Sequence, residues 1–319
     1  MKRYFAILLL LLLLPSELNA SIDKAISLYE RGEYKEAVDL LSKLKVSSPA
    51  ASNVSFWLAK SFLKLRDWDH AIREMEKAVQ LEPANSLYHL WLGRAYGLRA
   101  AHSIFFTAIR WARRVAKEFE TARMLSPQDI NVRFDLLEFY LNAPSIVGGG
   151  KNKAQAEAQA IAELEPQRSY TARAIIHEKN KDWDLAKKEL AQATVDFPRD
   201  ANAYKDLAEF LLDRQDIHGA LANAQKALAL DSSLKQARLI LAASNIQLGV
   251  HLEEAAKSLQ ELAAGPLGDE DPAFEDVYFW LGVCYFTRGE KEKAREAFKF
   301  ALSFNPDYEK AKAYLSGMK

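Results

Sequence analysis

Helix-stopping residues recur along this chain at a nearly fixed interval, and that recurrence restricts the fold more than any other feature. Prolines stand at positions 49, 83, 127, 166, 198, 272 and 306, with Ser232 in the place of one more. Consecutive separations are 34, 44, 39, 32, 34, 40 and 34 residues. A proline cannot continue a helix and disfavours helical geometry in the residue before it, so each reads as the stop of a second helix in a two-helix unit. Inner positions repeat as well. Ala37, Ala71, Ala154, Ala186, Ala220 and Ala294, with Val115 in the third unit, mark the start of the second helix. Ala25, Ala59, Gly93, Leu137, Ala174, Ala208, Ala242 and Gly282 recur inside the first helix, where small side chains let two antiparallel helices approach closely. Phe62, Tyr96, Tyr140, Leu211 and Tyr285 fill the space a turn further on, and Asn245 takes that place in the seventh unit. One helix pair leaves an apolar face exposed, so stacked neighbours must build the core.

The most regular unit runs from Tyr278 to Pro306. Tyr278, Leu281, Gly282 and Tyr285 lie in its first helix, Gly289 turns the chain, and Ala294, Phe298 and Ala301 line the second. This unit resembles the tetratricopeptide repeat, and similar units can be laid back along the chain. The resemblance implies an all-α fold, a right-handed superhelical solenoid of antiparallel helix pairs, with about eight units and a C-terminal capping helix. The expected units are 21–49, 52–83, 86–127, 130–166, 167–198, 201–232, 235–266 and 275–306, with the cap at 307–319. In the cap, Tyr308, Ala311 and Leu315 are expected to cover the last unit while Glu309, Lys310 and Lys312 face water.

The first twenty residues have a different character. Lys2 and Arg3 precede an uninterrupted apolar run from Tyr4 to Leu14, followed by the more polar Pro15–Ala20. This is the pattern of a secretory signal peptide over residues 1–20, with Ala20 before the cut. The run falls well short of the roughly 20 residues that span a bilayer, and no other stretch is a candidate span. The protein is therefore expected to be exported, and periplasmic in a Gram-negative bacterium. Cys284 is the single cysteine, so it cannot form an internal disulfide or a multi-cysteine metal site. Its place in an apolar helix reads as a small buried hydrophobe. Equal numbers of basic and acidic residues, 43 of each, argue against a general polyanion binder and so against nucleic acid.

Three departures from the repeat draw attention. The third unit carries extra residues between Tyr96 and Phe119, where Ile104, Ala108, Trp111, Val115 and Phe119 are spaced to share one helix face. Arg110, Arg113, Arg114 and Lys117 lie opposite, Arg94 and Arg99 add to them, and no acidic residue occurs from Ser86 to Lys117. The fourth unit contains Asn142–Lys153, in which Gly148, Gly149, Gly150 and Lys151 imitate a nucleotide loop. Ser145 stands where its first glycine should be and Asn152 where Ser or Thr should hold magnesium, so the pattern fails. The stretch from Phe134 to Ala154 is similar to a segment of exported bacterial tetratricopeptide repeat proteins. The third departure, Ala264–Glu275, reads as a spacer with helix breakers and the acidic run Asp269, Glu270 and Asp271.

Catalytic constellations are missing from the sequence. His177 and Glu178 begin a zinc-protease helix, but Lys181 replaces its second histidine. No nucleophile turn, dinucleotide fingerprint or metal ligand set occurs, so neither an enzyme nor a cofactor is expected. Members of the family that grip a C-terminal carboxylate use Lys and Asn on successive first helices. Here Lys205 is followed by Glu209, the next unit offers Leu239 and Ile240, and that clamp is absent.

The resemblance thus implies a non-catalytic scaffold of the envelope or secretory compartment that binds a protein or extended peptide along its concave face. First helices line that face, so the candidate contacts are Phe56, Lys60, Lys64, Leu90, Arg94, Phe134, Glu138, Lys205, Glu209, Phe279 and Phe286. Two alternatives stand beside it. One is a membrane-surface adaptor that meets an anionic surface through Arg99, Arg110, Arg113, Arg114 and Lys117. The other is a small-ligand protein or enzyme that uses the Gly148–Lys151 loop.

Overall fold

The computed structural model describes residues 17–44 and 50–318. The leader's charged start and apolar run, Pro49 and Lys319 lie outside the described residues. Among those described there are 17 helices, two short 3-10 turns and no strand. In chain order the helices are α1 (17–30), α2 (Tyr34–Ser42), α3 (Ala50–Lys64), α4 (Trp68–Leu81), α5 (Ser86–Ala101) and α6 (Phe105–Leu125). They continue with α7 (Ile130–Asn142), α8 (Lys151–Leu164), α9 (Ser169–Lys179), α10 (Trp183–Asp196), α11 (Ala201–Asp213) and α12 (Ile217–Leu230). The last are α13 (Lys235–Leu248), α14 (Leu252–Ala264), α15 (Phe274–Thr287), α16 (Lys291–Phe304) and α17 (Glu309–Gly317).

The chain divides into two compact units. The first holds the described residues up to Val132 together with Ala143–Gly148. The second holds Arg133–Asn142 and the described residues from Gly149 onward. In the first, α3 packs on α4 and α5 on α6; in the second, α9 packs on α10, α11 on α12, α13 on α14 and α15 on α16. The helix α1 runs through Ala20 without a break, and Leu18 packs against a core of Ile22, Ala25, Leu41, Val54 and Leu58.

One backbone device turns the chain back at six places, from α1 to α2, α3 to α4, α9 to α10, α11 to α12, α13 to α14 and α15 to α16. Gly32, Arg66, Lys181, Gln215, Gly249 and Gly289 all have left-handed φ, between 61° and 80°. The residue after each donates its N–H to the carbonyl five positions earlier: Glu33 to Leu28, Asp67 to Phe62, Asp182 to His177, Asp216 to Leu211, Val250 to Asn245 and Glu290 to Tyr285, at 2.9–3.0 Å. This is the Schellman closure, which satisfies orphan carbonyls at a helix end. In two turns the same residue caps the next helix. Asp67 accepts from the His70 N–H at 3.2 Å, and Asp216 from the Gly219 N–H at 3.1 Å. A turn this short forces the second helix back along the first.

The helices then approach most closely where side chains are small. Ala25, Ala59, Ala174, Ala208 and Ala242 on first helices are buried, as are Ala37, Ala71, Ala154, Ala186, Ala220 and Ala294 on second helices. Two places are tighter still. A Cβ on Gly93 would lie 2.4 Å from the Phe119 ring, and one on Gly282 would lie 2.6 Å from the Phe298 ring.

Two sequence expectations need correction. Pro272 is not a helix stop: α14 ends at Gly265, and Pro272 lies buried in the loop beyond. That loop is also more than a solvated spacer. Leu267 is buried in the core of the last two pairs, and Lys235 Nζ binds the Pro266 carbonyl and Asp271 Oδ2, both at 2.7 Å. The second correction concerns Ile104, which precedes α6 as its N-cap residue and is 78% exposed, so it does not share the buried face of Val115 and Phe119.

Two stability predictions follow from this geometry. Gly282→Ala is expected to lower unfolding free energy by about 1–3 kcal/mol, because the fully buried Phe298 ring has to shift. An undisturbed denaturation midpoint would refute the close approach. Lys181→Gly, by contrast, is expected to raise stability by up to about 1 kcal/mol, since a side chain in left-handed geometry carries a steric penalty that glycine lacks. Urea titration of both variants beside the parent tests the two signs together.

Candidate functional site

Stacking helix pairs brings first helices side by side. In the second unit α11 contacts α13, α13 contacts α15, and α17 packs on α16 at the end of the row. Together they enclose a groove of about 500 Å³. Its apolar surface comes from Leu212, Leu239, Ile240, Phe279, Trp280, Tyr308 and Tyr314. The polar lining is Glu209, Asp213, Gln215, Gln236, Gln247, Asp276 and Lys310. Three carboxylates face one ammonium, so the groove is acidic as well as aromatic.

Packing fixes the aromatic wall. Phe279 is buried, with ring centroids at 5.4 Å from Tyr308, 5.8 Å from Tyr314 and 6.0 Å from Phe298. The Tyr308 hydroxyl donates to Asp276 Oδ1 at 2.5 Å. Burial, then that hydrogen bond, pushes the Tyr308 phenol above its usual value, so it stays a neutral donor. Glu209 is held differently. Its side chain is reached by solvent, yet the groove walls displace much of the surrounding water. This burial pushes the carboxyl above the ordinary glutamate value; Lys205 and a 3.0 Å hydrogen bond from Gln236 pull it down, and Asp206 and Asp213 push it up. Lys205 itself pairs with Asp206 at 2.8 Å.

The candidate contacts therefore separate. Glu209 and Phe279 line the groove; Lys205 lies on the same helix as Glu209, and Phe286, 41% exposed, meets Tyr314 edge-on at 5.6 Å. Phe134 and Glu138 lie on α7, where the Arg168 guanidinium stands 5.1 Å from the Phe134 ring. In the first unit, Phe56, Lys60 and Leu90 are buried, Arg94 is half-buried and Lys64 is exposed. Lys60 is 4% exposed, and its ammonium stands 4.1 Å from the Trp57 ring centroid, 4.6 Å from that of Trp91 and 4.7 Å from that of Tyr29. Such a cage holds its own lysine through cation–π attraction, and Phe56 and Leu90 fill the packing beside it. These three side chains hold the first unit together instead of presenting a free surface. Sequence spacing alone had no way to foresee the cage.

The basic patch is partly neutralised, by two acids of the preceding second helix and by one of α6 itself. Arg99 Nε pairs with Asp69 at 3.0 Å, Arg114 Nη1 with Glu76 at 3.3 Å, and Lys117 with its neighbour Glu118 at 3.6 Å. Arg110 and Arg113 are exposed and have no ion-pair partner among the described residues. Glu118 also meets His89 Nδ1 at 2.6 Å, both nearly buried, while His89 Nε2 lies 3.0 Å from the Pro83 carbonyl; the pair ties α5 to α6.

The glycine loop closes on its own protein. In the first unit, Ser145–Val147 form a 3-10 turn capped by Gly148 at φ 103°. In the second, Gly150 N–H donates to the Tyr140 carbonyl, and Lys151 Nζ donates to Asn180 Oδ1 at 3.0 Å. His177 lines a smaller cavity of about 250 Å³ with Gln155, Gln159 and Arg173. Cys284 is fully buried with Sγ 3.2 Å from the Leu252 carbonyl, and burial raises its pKa, so it is a thiol at neutral pH. Among the described residues there is no group of three or more His, Cys, Asp or Glu arranged to hold a metal ion.

Comparison with known proteins agrees with the repeat geometry. Two sequence models of the tetratricopeptide repeat match, one over residues 275–308 and the other over 58–98 and 171–235. No curated protein matches the sequence. Among solved structures, yeast Tom70 superposes with a TM-score of 0.58 at 15% identity, over 90% of this chain and 59% of that one. The Cut9–Hcn1 hetero-tetramer of the APC/C gives 0.48 at 16% identity over 92% and 54%, and a tetratricopeptide repeat protein from Parabacteroides merdae gives 0.47 at 14% over 95% and 99%. The chain thus spans little more than half the length of the first two. Of these three likenesses, that to Tom70 bears on the fold and on nothing beyond it. Repeat models match in both units, on helix pairs joined by one recurring turn, so this chain carries tetratricopeptide repeats.

Proposed function

We propose that this protein is a non-catalytic scaffold that binds an extended segment of another protein in the groove formed by α11, α13, α15 and α17. The groove carries the reading. It is about 500 Å³, formed on a rigid repeat, aromatic along one wall and acidic at Glu209, Asp213 and Asp276. Recognition by such a surface combines apolar side chains seated against aromatic rings with a few placed charges. The charge balance selects the partner's chemistry: a segment carrying lysine or arginine beside apolar residues. It disfavours a C-terminal carboxylate, for which Leu239 and Ile240 offer no donor.

The same family is generally non-catalytic, which supports a scaffold over an enzyme. Among the described residues, no helix is long and apolar enough to cross a membrane. The leader pattern at residues 1–20 supports an exported location for the scaffold, the periplasm in a Gram-negative cell.

The raised pKa of Glu209 gives this proposal a pH signature. A cationic side chain binds the ionised carboxylate, so affinity is complete above the Glu209 value and declines as pH falls through it. Because burial raises that value, the decline begins at a higher pH than the ordinary glutamate value of about 4.3 would give. Fluorescence anisotropy of a labelled peptide alternating lysine and leucine measures it. Glu209→Gln is expected to remove that decline, and Glu209→Lys with Asp213→Lys to weaken binding at least about tenfold, the effect of roughly 1.4 kcal/mol. Equal binding of a glutamate–leucine peptide, or of the lysine peptide to the charge-reversed variant, would sink the reading.

A further inference from the structure

The N-terminal end of α6 exposes three consecutive large apolar side chains. Ile104 is 78% exposed, Phe105 69% and Phe106 82%, at the place where the chain turns from α5 into α6. Isolated exposed hydrophobes need no explanation, but three together at a helix tip do. The two phenyl rings rest on each other edge-to-face at 5.5 Å.

A basic stripe begins directly behind them. Phe106, Arg110, Arg113 and Lys117 are separated by four, three and four residues, which puts them on one line along the helix. All four are exposed. Arg99 and Arg114, in contrast, are engaged with Asp69 and Glu76. Neutralisation by α4 therefore leaves the two arginines nearest the apolar tip available. At a rise of 1.5 Å per residue, Arg110 stands about 6 Å and Arg113 about 10 Å behind Phe106.

From this arrangement we infer that the α6 tip is a docking site for an anionic lipid surface. A phenylalanine pair that protrudes, with most of its area open to solvent, has no walls to seat a peptide. A bilayer interface suits it: the rings enter the boundary of headgroups and acyl chains, and cations 6–10 Å behind, roughly the headgroup depth, meet the lipid phosphates. Two signals acting together, apolar insertion and basic attraction, give binding that neither gives alone. The inference does not depend on the groove of the second unit, and either can fail without the other.

The test uses the full chain and reads the tip locally, so that the apolar run at residues 4–14 cannot stand in for it. Phe106→Cys supplies one reactive thiol, since Cys284 is fully buried, and an environment-sensitive nitrobenzoxadiazole is attached there. Vesicles of pure phosphatidylcholine are compared with vesicles containing an equal part of phosphatidylglycerol. Expected is a blue-shifted, several-fold brighter emission with the anionic vesicles, little change with the neutral ones, and reversal by added salt. Arg110→Glu with Arg113→Glu in the same labelled chain is expected to abolish the change, while circular dichroism confirms an intact helical fold. Emission that ignores anionic vesicles would overturn the proposal and leave an acidic protein surface as the occupant. Emission that responds equally with both arginines reversed would overturn it too.

Discussion

The close contact between the two helices of each pair is the interaction on which the rest depends. In six pairs a left-handed residue and the hydrogen bond across it return the chain within a few residues, so the second helix has nowhere to go except along the first. That proximity is met at most crossings by alanine or glycine, with the Phe119 and Phe298 rings seated on Gly93 and Gly282 inside their own pairs, and other large apolar residues are left on the outer faces of the pair. Those residues are buried by the next pair, whose own crossing repeats the same demand. First helices consequently fall beside first helices. The groove at α11, α13 and α15 is a by-product of this stacking, and only its side chains are specific.

Much of this architecture was legible in the sequence because it depends on side-chain size. Ala59, Ala71, Ala208 and Gly282 announce the crossings by being small where a helix would otherwise favour bulk. The turns were less legible, because they depend on backbone geometry. Gly289 advertises a left-handed residue, whereas Arg66, Lys181 and Gln215 do the same work with side chains that give no hint of it. The hydrogen bond at the turn holds these residues in place despite their steric cost. Proline misled in one unit for a related reason. Gly265 ends α14 first, so Pro272 is left to pack in a loop fastened by Lys235.

The candidate site was legible in outline and blurred in detail. Glu209 and Phe279 could be placed on the inner face by register alone. The aromatic wall could not, because Tyr314 and the N-cap residue Tyr308 belong to the C-terminal cap, whose sequence reads as a cover for exposed core. The helix does cover the core, through Ala311, but its tyrosines also complete the groove. Charges were harder still. The acid-free run from Ser86 to Lys117 looks like an unbroken basic surface until α4 brings Asp69 and Glu76 against two of its arginines. Lys60 is a similar case: a lysine on an inner helix face reads as a binding residue, and Trp57 of its own helix with Tyr29 and Trp91 of neighbouring helices turn it into core.

Glu209 shows how the demands of binding and of stability oppose each other in such a fold. A carboxyl whose folded value is raised binds its proton more tightly when folded than when unfolded. Its penalty is therefore absent below the ordinary glutamate value and grows as pH rises from there toward the folded value, after which it is fully present. Above its folded value Glu209 is a partly desolvated anion, and Lys205, which pulls that value down, is itself engaged with Asp206. A neutral glutamine in that place would relieve the cost without disturbing the packing of Leu239 or Phe279. On the proposed function, the retained charge supplies what glutamine could not: an electrostatic contact that strengthens as a partner's cation displaces the remaining water from the groove.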